Sequence, residues 1–134
     1  MRLVLDAGVA IASLRRRETG HQAARARLRR IAAGEDVAVV PALFTSEVAG
    51  ALARLGFAVP SIETFLAALT SAPLEVTTIG PKRALAVARI AMATKLRGAD
   101  AVYVWLAARE GLPLCTLDRQ IIARGPAACR VVAP

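Results

Sequence analysis

The chain has 134 residues, a formal net charge of +8 carried almost wholly by arginine, and an apolar share of 56% drawn mainly from Ala, Leu and Val. That length suits one domain with a real aliphatic core. No apolar run approaches the ~18 residues of a membrane span, and Asp6 interrupts the first apolar run too early for a secretory signal.

In chain order, residues 2–5 read as a strand that ends at Asp6. The basic run Arg15-Arg16-Arg17 follows the turn after it. Residues 21–33, rich in Ala, Arg and Leu, read as a helix that opens on His21, the only histidine. Arg25 and Arg29 on it are spaced i, i+4 with no intervening acid, so they do not read as an internal salt bridge. Gly34-Glu35-Asp36 reads as a loop before a second strand over 37–40. Residues 43–55 carry Val48, Leu52 and Leu55 at helical spacing and include Glu47. A helix over 61–69 follows Pro60, and a third strand spans 74–79. Pro81 suits the first position of a helix over 81–96. The next helix runs from Asp100 to about residue 109, with Gly111 as its stop and Pro113 beyond. A strand over 112–116 leads to Asp118 and a short helical turn, and a last strand covers 130–132. Cys115 and Cys129 fall in these apolar segments and read as reduced core residues of a cytosolic protein. Strands alternating with helices predict an α/β fold, with a mostly parallel five-stranded sheet flanked by helices as a three-layer domain over 1–134.

The acids are placed unusually. In a parallel sheet, ligands bind at the carboxyl ends of the strands. Asp6 and Asp118 stand at such ends, Glu47 lies shortly past another, and Asp100 opens a helix. Singly, Asp6 and Asp100 read as helix caps, Asp118 as a turn residue and Glu47 as a solvated position. Together they make one pocket of carboxylates, which repel each other unless a cation neutralises them. Oxygen ligands suit a hard divalent metal, and such a metal serves phosphate chemistry. A basic surface would draw in a polyanion, with arginine suited to phosphate. Lys95 and Arg97 just before Asp100 are candidate substrate contacts at the pocket rim; Arg15 and Arg16 are others, with a solvated face as the plain alternative.

Val4-Leu5-Asp6-Ala7, residues 41–55 with Glu47, Asp100-Ala101 with Leu106-Ala107, and residues 114–118 ending in Asp118 resemble the motifs of the PIN domain. They look most like the VapC-type toxins of bacterial toxin–antitoxin pairs, and the likeness spans nearly the whole chain. The resemblance implies a twisted parallel sheet, a Mg²⁺- or Mn²⁺-dependent ribonuclease, a homodimer and a cognate antitoxin. It implies Asp6, Glu47, Asp100 and Asp118 as the catalytic acids and metal ligands, and Thr116 as the hydroxyl residue two before the last acid. It also implies RNA products with a 5′-phosphate and a 3′-hydroxyl. One departure is Gly8, where family members often carry Ser, Thr or Asn.

Rival readings fit less well. A receiver domain needs paired acids after the first strand, and a dehalogenase-like phosphatase needs a second Asp where Gly8 stands. A Rossmann module needs a Gly-rich turn that is absent. A single histidine disfavours a histidine-based nuclease. Tyr103 and Trp105 read as packing residues. A catalytically silent RNA-binding module, or an RNA-processing PIN nuclease without an antitoxin, is the remaining alternative.

Overall fold

The computed structural model describes residues 1–134. Five parallel strands form one sheet: β1 (Arg2–Leu5), β2 (Val37–Pro41), β3 (Leu74–Thr77), β4 (Leu114–Cys115) and β5 (Val131–Val132), in the order β3-β2-β1-β4-β5. Parallel strands require crossover connections, and seven helices supply the covering layers: α1 (Ala7–Ala12), α2 (His21–Ala32), α3 (Phe44–Arg54), α4 (Val59–Ser71), α5 (Pro81–Thr94), α6 (Gly98–Glu110) and α7 (Arg119–Arg124). A 3-10 turn at Gly125–Ala127 follows α7.

The three central strands are buried on both faces, as a covered parallel sheet demands. Leu3, Val4 and Leu5 of β1 and Ala38, Val39 and Val40 of β2 are all within 1% of fully buried. Val4 lies in register with Val39 on one side and Leu114 on the other. In α6, every residue from Ala101 to Ala107 is buried. A helix apolar around its whole circumference belongs inside, and α6 packs on β1, β2, β4 and α5.

Three elements differ from the sequence expectation. Helix α1 entered the sequence reading only as a helix for Asp6 to cap, with no bounds: Ala-Gly-Val-Ala-Ile-Ala has no polar face to show helical periodicity, because Ala7, Val9, Ala10 and Ala12 are all buried. The expected strand over 112–116 is only Leu114–Cys115, its neighbour β5 being equally short. The expected strand over 74–79 stops at Thr77, where β2 also ends at Pro41.

The sheet's amino edge holds a buried ion cluster. Asp36, fully buried just before β2, pairs with Arg27 at 2.7 Å, Arg30 at 2.9 Å and the Met1 amino group at 2.7 Å. The hydrogen bond from Arg30 is the largest of the influences that hold its carboxyl well below the usual carboxylate range. Cys115 and Cys129 are both free thiols.

Because the folded Asp36 carboxyl lies below its unfolded value, its stabilising contribution is present above about pH 4 and lost as pH falls further. Asp36→Asn strands Arg27 and should lower unfolding free energy at pH 7 by about 3 kcal/mol. Urea denaturation checks this; an unchanged midpoint would refute it.

Candidate active site

The chain's path across the sheet creates the site. From β1 it moves outward through β2 to β3, then returns to the other side of β1 for β4 and β5. Strand order therefore reverses between β1 and β4, and the crevice above such a reversal is where ligands bind in open parallel sheets. Asp6 leaves β1 at this point, and Thr116 and Asp118 leave β4. The Asp6 amide donates to the Cys115 carbonyl at 3.1 Å, closing the seam.

A cavity of about 540 Å³ lies here, and Asp6, Glu47, Asp100 and Asp118 all line it, with Glu18, Arg54 and Gln120 among its other walls. Asp6 occupies the cap position of α1, but its side chain makes no capping hydrogen bond. It instead accepts the Thr116 hydroxyl at Oδ2, 2.6 Å away, and is only 7% exposed. Burial pushes its pKa up to about 6; the Thr116 hydroxyl and the Gly8 amide work against that shift, and Glu47 and Asp118 add to it. Thr116 also accepts the Asp118 amide at 3.0 Å, so one fully buried hydroxyl ties two acidic positions together.

Asp118 is a true helix cap: its Oδ1 accepts the Gln120 and Ile121 amides at 2.7 and 3.1 Å, which fixes its side chain at the start of α7. Glu47 is half-buried on α3, and its Oε2 accepts the Tyr103 hydroxyl at 2.5 Å. Burial raises the Glu47 carboxyl, the Tyr103 bond lowers it and nearby Asp100 raises it. Burial and the Glu47 carboxylate in turn hold the Tyr103 phenol far above its ordinary value. Asp100 lies in the first turn of α6. Its carboxyl is raised by burial and by Asp118, and lowered by Arg97, whose Nε is 3.5 Å from Oδ2. That Oδ2 atom is buried and makes no hydrogen bond.

The four acids thus form an electrostatic ring, Asp6 with Glu47 and Asp118, Asp100 with Asp118 and Glu47. Hydrogen bonds orient three of them through one oxygen, and the fourth has a buried oxygen without a hydrogen bond. An all-oxygen, anionic donor set with an unsatisfied buried oxygen fits a hard divalent cation. No three of the acidic side chains come together as a ready-made chelating cluster, so water would complete the shell, as Mg²⁺ commonly retains it.

The basic candidates lie outside this cavity. Lys95, Arg97 and Arg124 line a depression of about 210 Å³ that shares Asp100 and Gln120 with it. Arg15 and Arg16 line another beside Glu18, and Arg15 pairs with Glu18 at 2.8 Å. His21 is half-buried, with Nδ1 donating to the Ala12 carbonyl, and lines none of these cavities. Gly8 has a physical role: a Cβ there would lie 3.2 Å from Asp6 Oδ2, so glycine leaves the carboxylate uncrowded. Tyr103 is buried in the core, as the sequence reading expected, but its hydrogen bond to Glu47 was missed. Its signal was available, because it follows Asp100 by three and so shares that face of α6.

Comparison with known proteins places this geometry in context. The model of the PIN domain family matches residues 3–125. No curated protein matches the sequence. Among solved structures, PAE2754 from Pyrobaculum aerophilum is similar with a TM-score of 0.71 and 25% identity, over 97% of this chain and 83% of that one. VapBC2 from Rickettsia felis, bound to a DNA fragment from its promoter, matches with a TM-score of 0.74 and 12% identity, over 100% and 99% of the two chains. A toxin–antitoxin complex from Klebsiella pneumoniae matches with a TM-score of 0.68 and 16% identity, over 97% and 95%.

Asp6 penalises the fold electrostatically. Its folded pKa of about 6 exceeds the unfolded value of ~3.9, so the protein loses stability as pH rises through that interval. Asp6→Asn should therefore raise the melting temperature at pH 8 in a divalent-free buffer, and the gain should vanish below about pH 4. A variant melting below the native chain at pH 8 would contradict this electrostatic picture.

Proposed function

The chain belongs to the PIN domain family of nucleases, and we propose that it is a divalent-cation-dependent endoribonuclease, the toxin component of a toxin–antitoxin pair. The observation that carries the reading is the ring of four acids at the β1/β4 reversal, with the buried Asp100 Oδ2 left without a hydrogen bond. All four positions expected of an active family member are acidic, which favours catalysis over a silent RNA-binding module.

Asp6, Asp100, Asp118 and Glu47 would hold Mg²⁺ or Mn²⁺. Such an ion, when bound, activates water and offsets charge building on the phosphate. The chain's own residues do the rest. Thr116 keeps the Asp6 carboxylate turned toward Asp118 and away from a capping role. Tyr103 fixes one oxygen of Glu47, which leaves the other to take the proton of the attacking water. The water oxygen bonds to phosphorus as the bond from phosphorus to the 3′ oxygen breaks, and that leaving oxygen takes a proton from solvent water. The products carry a 5′-phosphate and a 3′-hydroxyl. Lys95 and Arg97 bind the RNA backbone beside Asp100, and Arg15 and Arg16 bind it beside Glu18.

The structural neighbours that are toxin–antitoxin complexes support a cognate antitoxin as protein partner. A homodimer belongs to the same reading. No helix is long and apolar enough to cross a membrane, and we place the protein in the cytoplasm.

With Mn²⁺ and single-stranded RNA, Asp6→Asn and Asp100→Asn should each cut cleavage by at least about 100-fold while remaining folded. Mn²⁺ should raise the melting temperature of the native chain and leave that of Asp100→Asn nearly unchanged. Undiminished cleavage by either variant would overturn the assignment.

A further inference from the structure

Three of the four acids are held by hydrogen bonds, and the fourth is not. Asp6, Glu47 and Asp118 each accept at least one at a single oxygen. Asp100 has only Arg97, three residues earlier, whose Nε stands 3.5 Å from Oδ2. The place of its carboxylate therefore depends on the backbone of the first turn of α6. That turn opens on Gly98 and Ala99, both exposed. A helix end that starts on glycine at the surface frays unless the chain entering it is held.

The hold comes from α7. Arg124 donates from Nη1 to the Lys95 carbonyl at 2.7 Å. Lys95 ends α5 in the left-handed conformation at φ 57°, the one residue other than glycine with positive φ. That conformation is costly for a residue with a Cβ, and a carbonyl at a helix end needs a donor from outside the helix. Arg124 supplies the donor, from a fixed base. The Asp118 Oδ1 accepts the Gln120 and Ile121 amides at one end of α7, and Ile121 in its middle is fully buried. Gly125 at the other end approaches so closely that a Cβ there would lie 3.1 Å from Val131 Cγ2 and 3.6 Å from Val104 Cγ2 of α6. Gln120 and Arg124, one turn apart, line the same depression as Lys95, Arg97 and Asp100.

We propose that Arg124 is a positioning residue for Asp100. Through the Lys95 carbonyl it ties α7, which Asp118 caps, to the turn that delivers Asp100, and so sets the spacing of those two acids for a divalent cation. The proposal rests on the cation-site reading above. Charge alone argues in the opposite direction. A guanidinium beside a ring of carboxylates repels an incoming cation, so an arginine there that aids cation binding acts through geometry.

The test is Mn²⁺ titration calorimetry on the native chain, Arg124→Gln and Arg124→Lys, with amide hydrogen exchange followed by NMR in divalent-free buffer. The reporter amide is that of Ala101, which closes the first turn of α6 on the Arg97 carbonyl at 2.9 Å. Arg124→Gln should weaken Mn²⁺ binding by about 10-fold, the low end for loss of a group that supports a metal ligand, although it removes a repelling charge. Exchange of the Ala101 amide should quicken in that variant while amides of α3 around Glu47 keep their native rates. Arg124→Lys keeps both donor and charge and should return both readings close to native. Unchanged or tighter Mn²⁺ binding by Arg124→Gln, or a loss that Arg124→Lys does not restore, overturns the positioning role. Ala101 exchange that Arg124→Gln leaves unchanged refutes the brace, whatever the metal does. No Mn²⁺ uptake by the native chain refutes the cation-site reading itself.

Discussion

A hydroxyl and a carboxylate 110 residues apart in sequence meet at 2.6 Å in the buried seam between β1 and β4. The active edge is organised around that contact between Thr116 and Asp6. It joins the first strand to the fourth at the point where strand order reverses, and the same hydroxyl accepts the Asp118 amide. The acids of two strand ends are thereby fixed relative to one another by a single buried side chain. Helices α3 and α6 then bring Glu47 and Asp100 to the same cavity, and Tyr103 of α6 holds the Glu47 carboxylate. Asp6 and Glu47 are oriented by partners on other elements and Asp118 by the amides of the helix it caps, while Asp100 keeps a buried oxygen without a hydrogen bond.

The chain buries acids in two contrasting ways. Asp36, at the amino edge of the sheet, is surrounded by Arg27, Arg30 and the Met1 amino group, and its carboxyl stays far below the usual range. Asp6, Glu47 and Asp100, at the carboxyl edge, are all shifted the opposite way, with burial the largest cause in each case. Among them only Asp100 has a basic partner, Arg97, at 3.5 Å. The first arrangement is an ion pair that completes itself. The second is a set of mutually repelling charges whose folded form is costly until something cationic arrives. A protein with eight more basic than acidic side chains has many arginines, and Arg54 and Arg119 even line the cavity, yet only Arg97 pairs with one of the four acids. That distribution is what a site for a cation and a polyanion requires.

Much of this was legible in the sequence, for identifiable reasons. The alternation of apolar runs and helical spacing marks a covered parallel sheet, and Asp6 and Asp118 at the ends of apolar runs mark its carboxyl edge. The extent of helix α1 was hidden because its buried residues lack any polar face. Tyr103 read as core because it stands in an unbroken apolar run, and only α6 packing against β1 and β2 shows its hydroxyl reaching Glu47. Asp36 looked like a loop residue, since its partners Arg27 and Arg30 lie on a separate helix whose facing direction depends on tertiary packing. Asp118 kept its plain role and its place in the cavity together, as one oxygen caps α7. Long-range partners of a side chain are a property of the packed layers, and no local pattern encodes them.

The central claim is that the four acids at the β1/β4 reversal form one cation site. Anomalous X-ray scattering from crystals grown with Mn²⁺ tests it most directly. The account predicts a Mn²⁺ peak in the cavity, with carboxylate oxygens of Asp6 and Asp100 closest to it and water completing the shell. A cavity without anomalous signal at saturating Mn²⁺, or a peak bound elsewhere on the molecule, would contradict it.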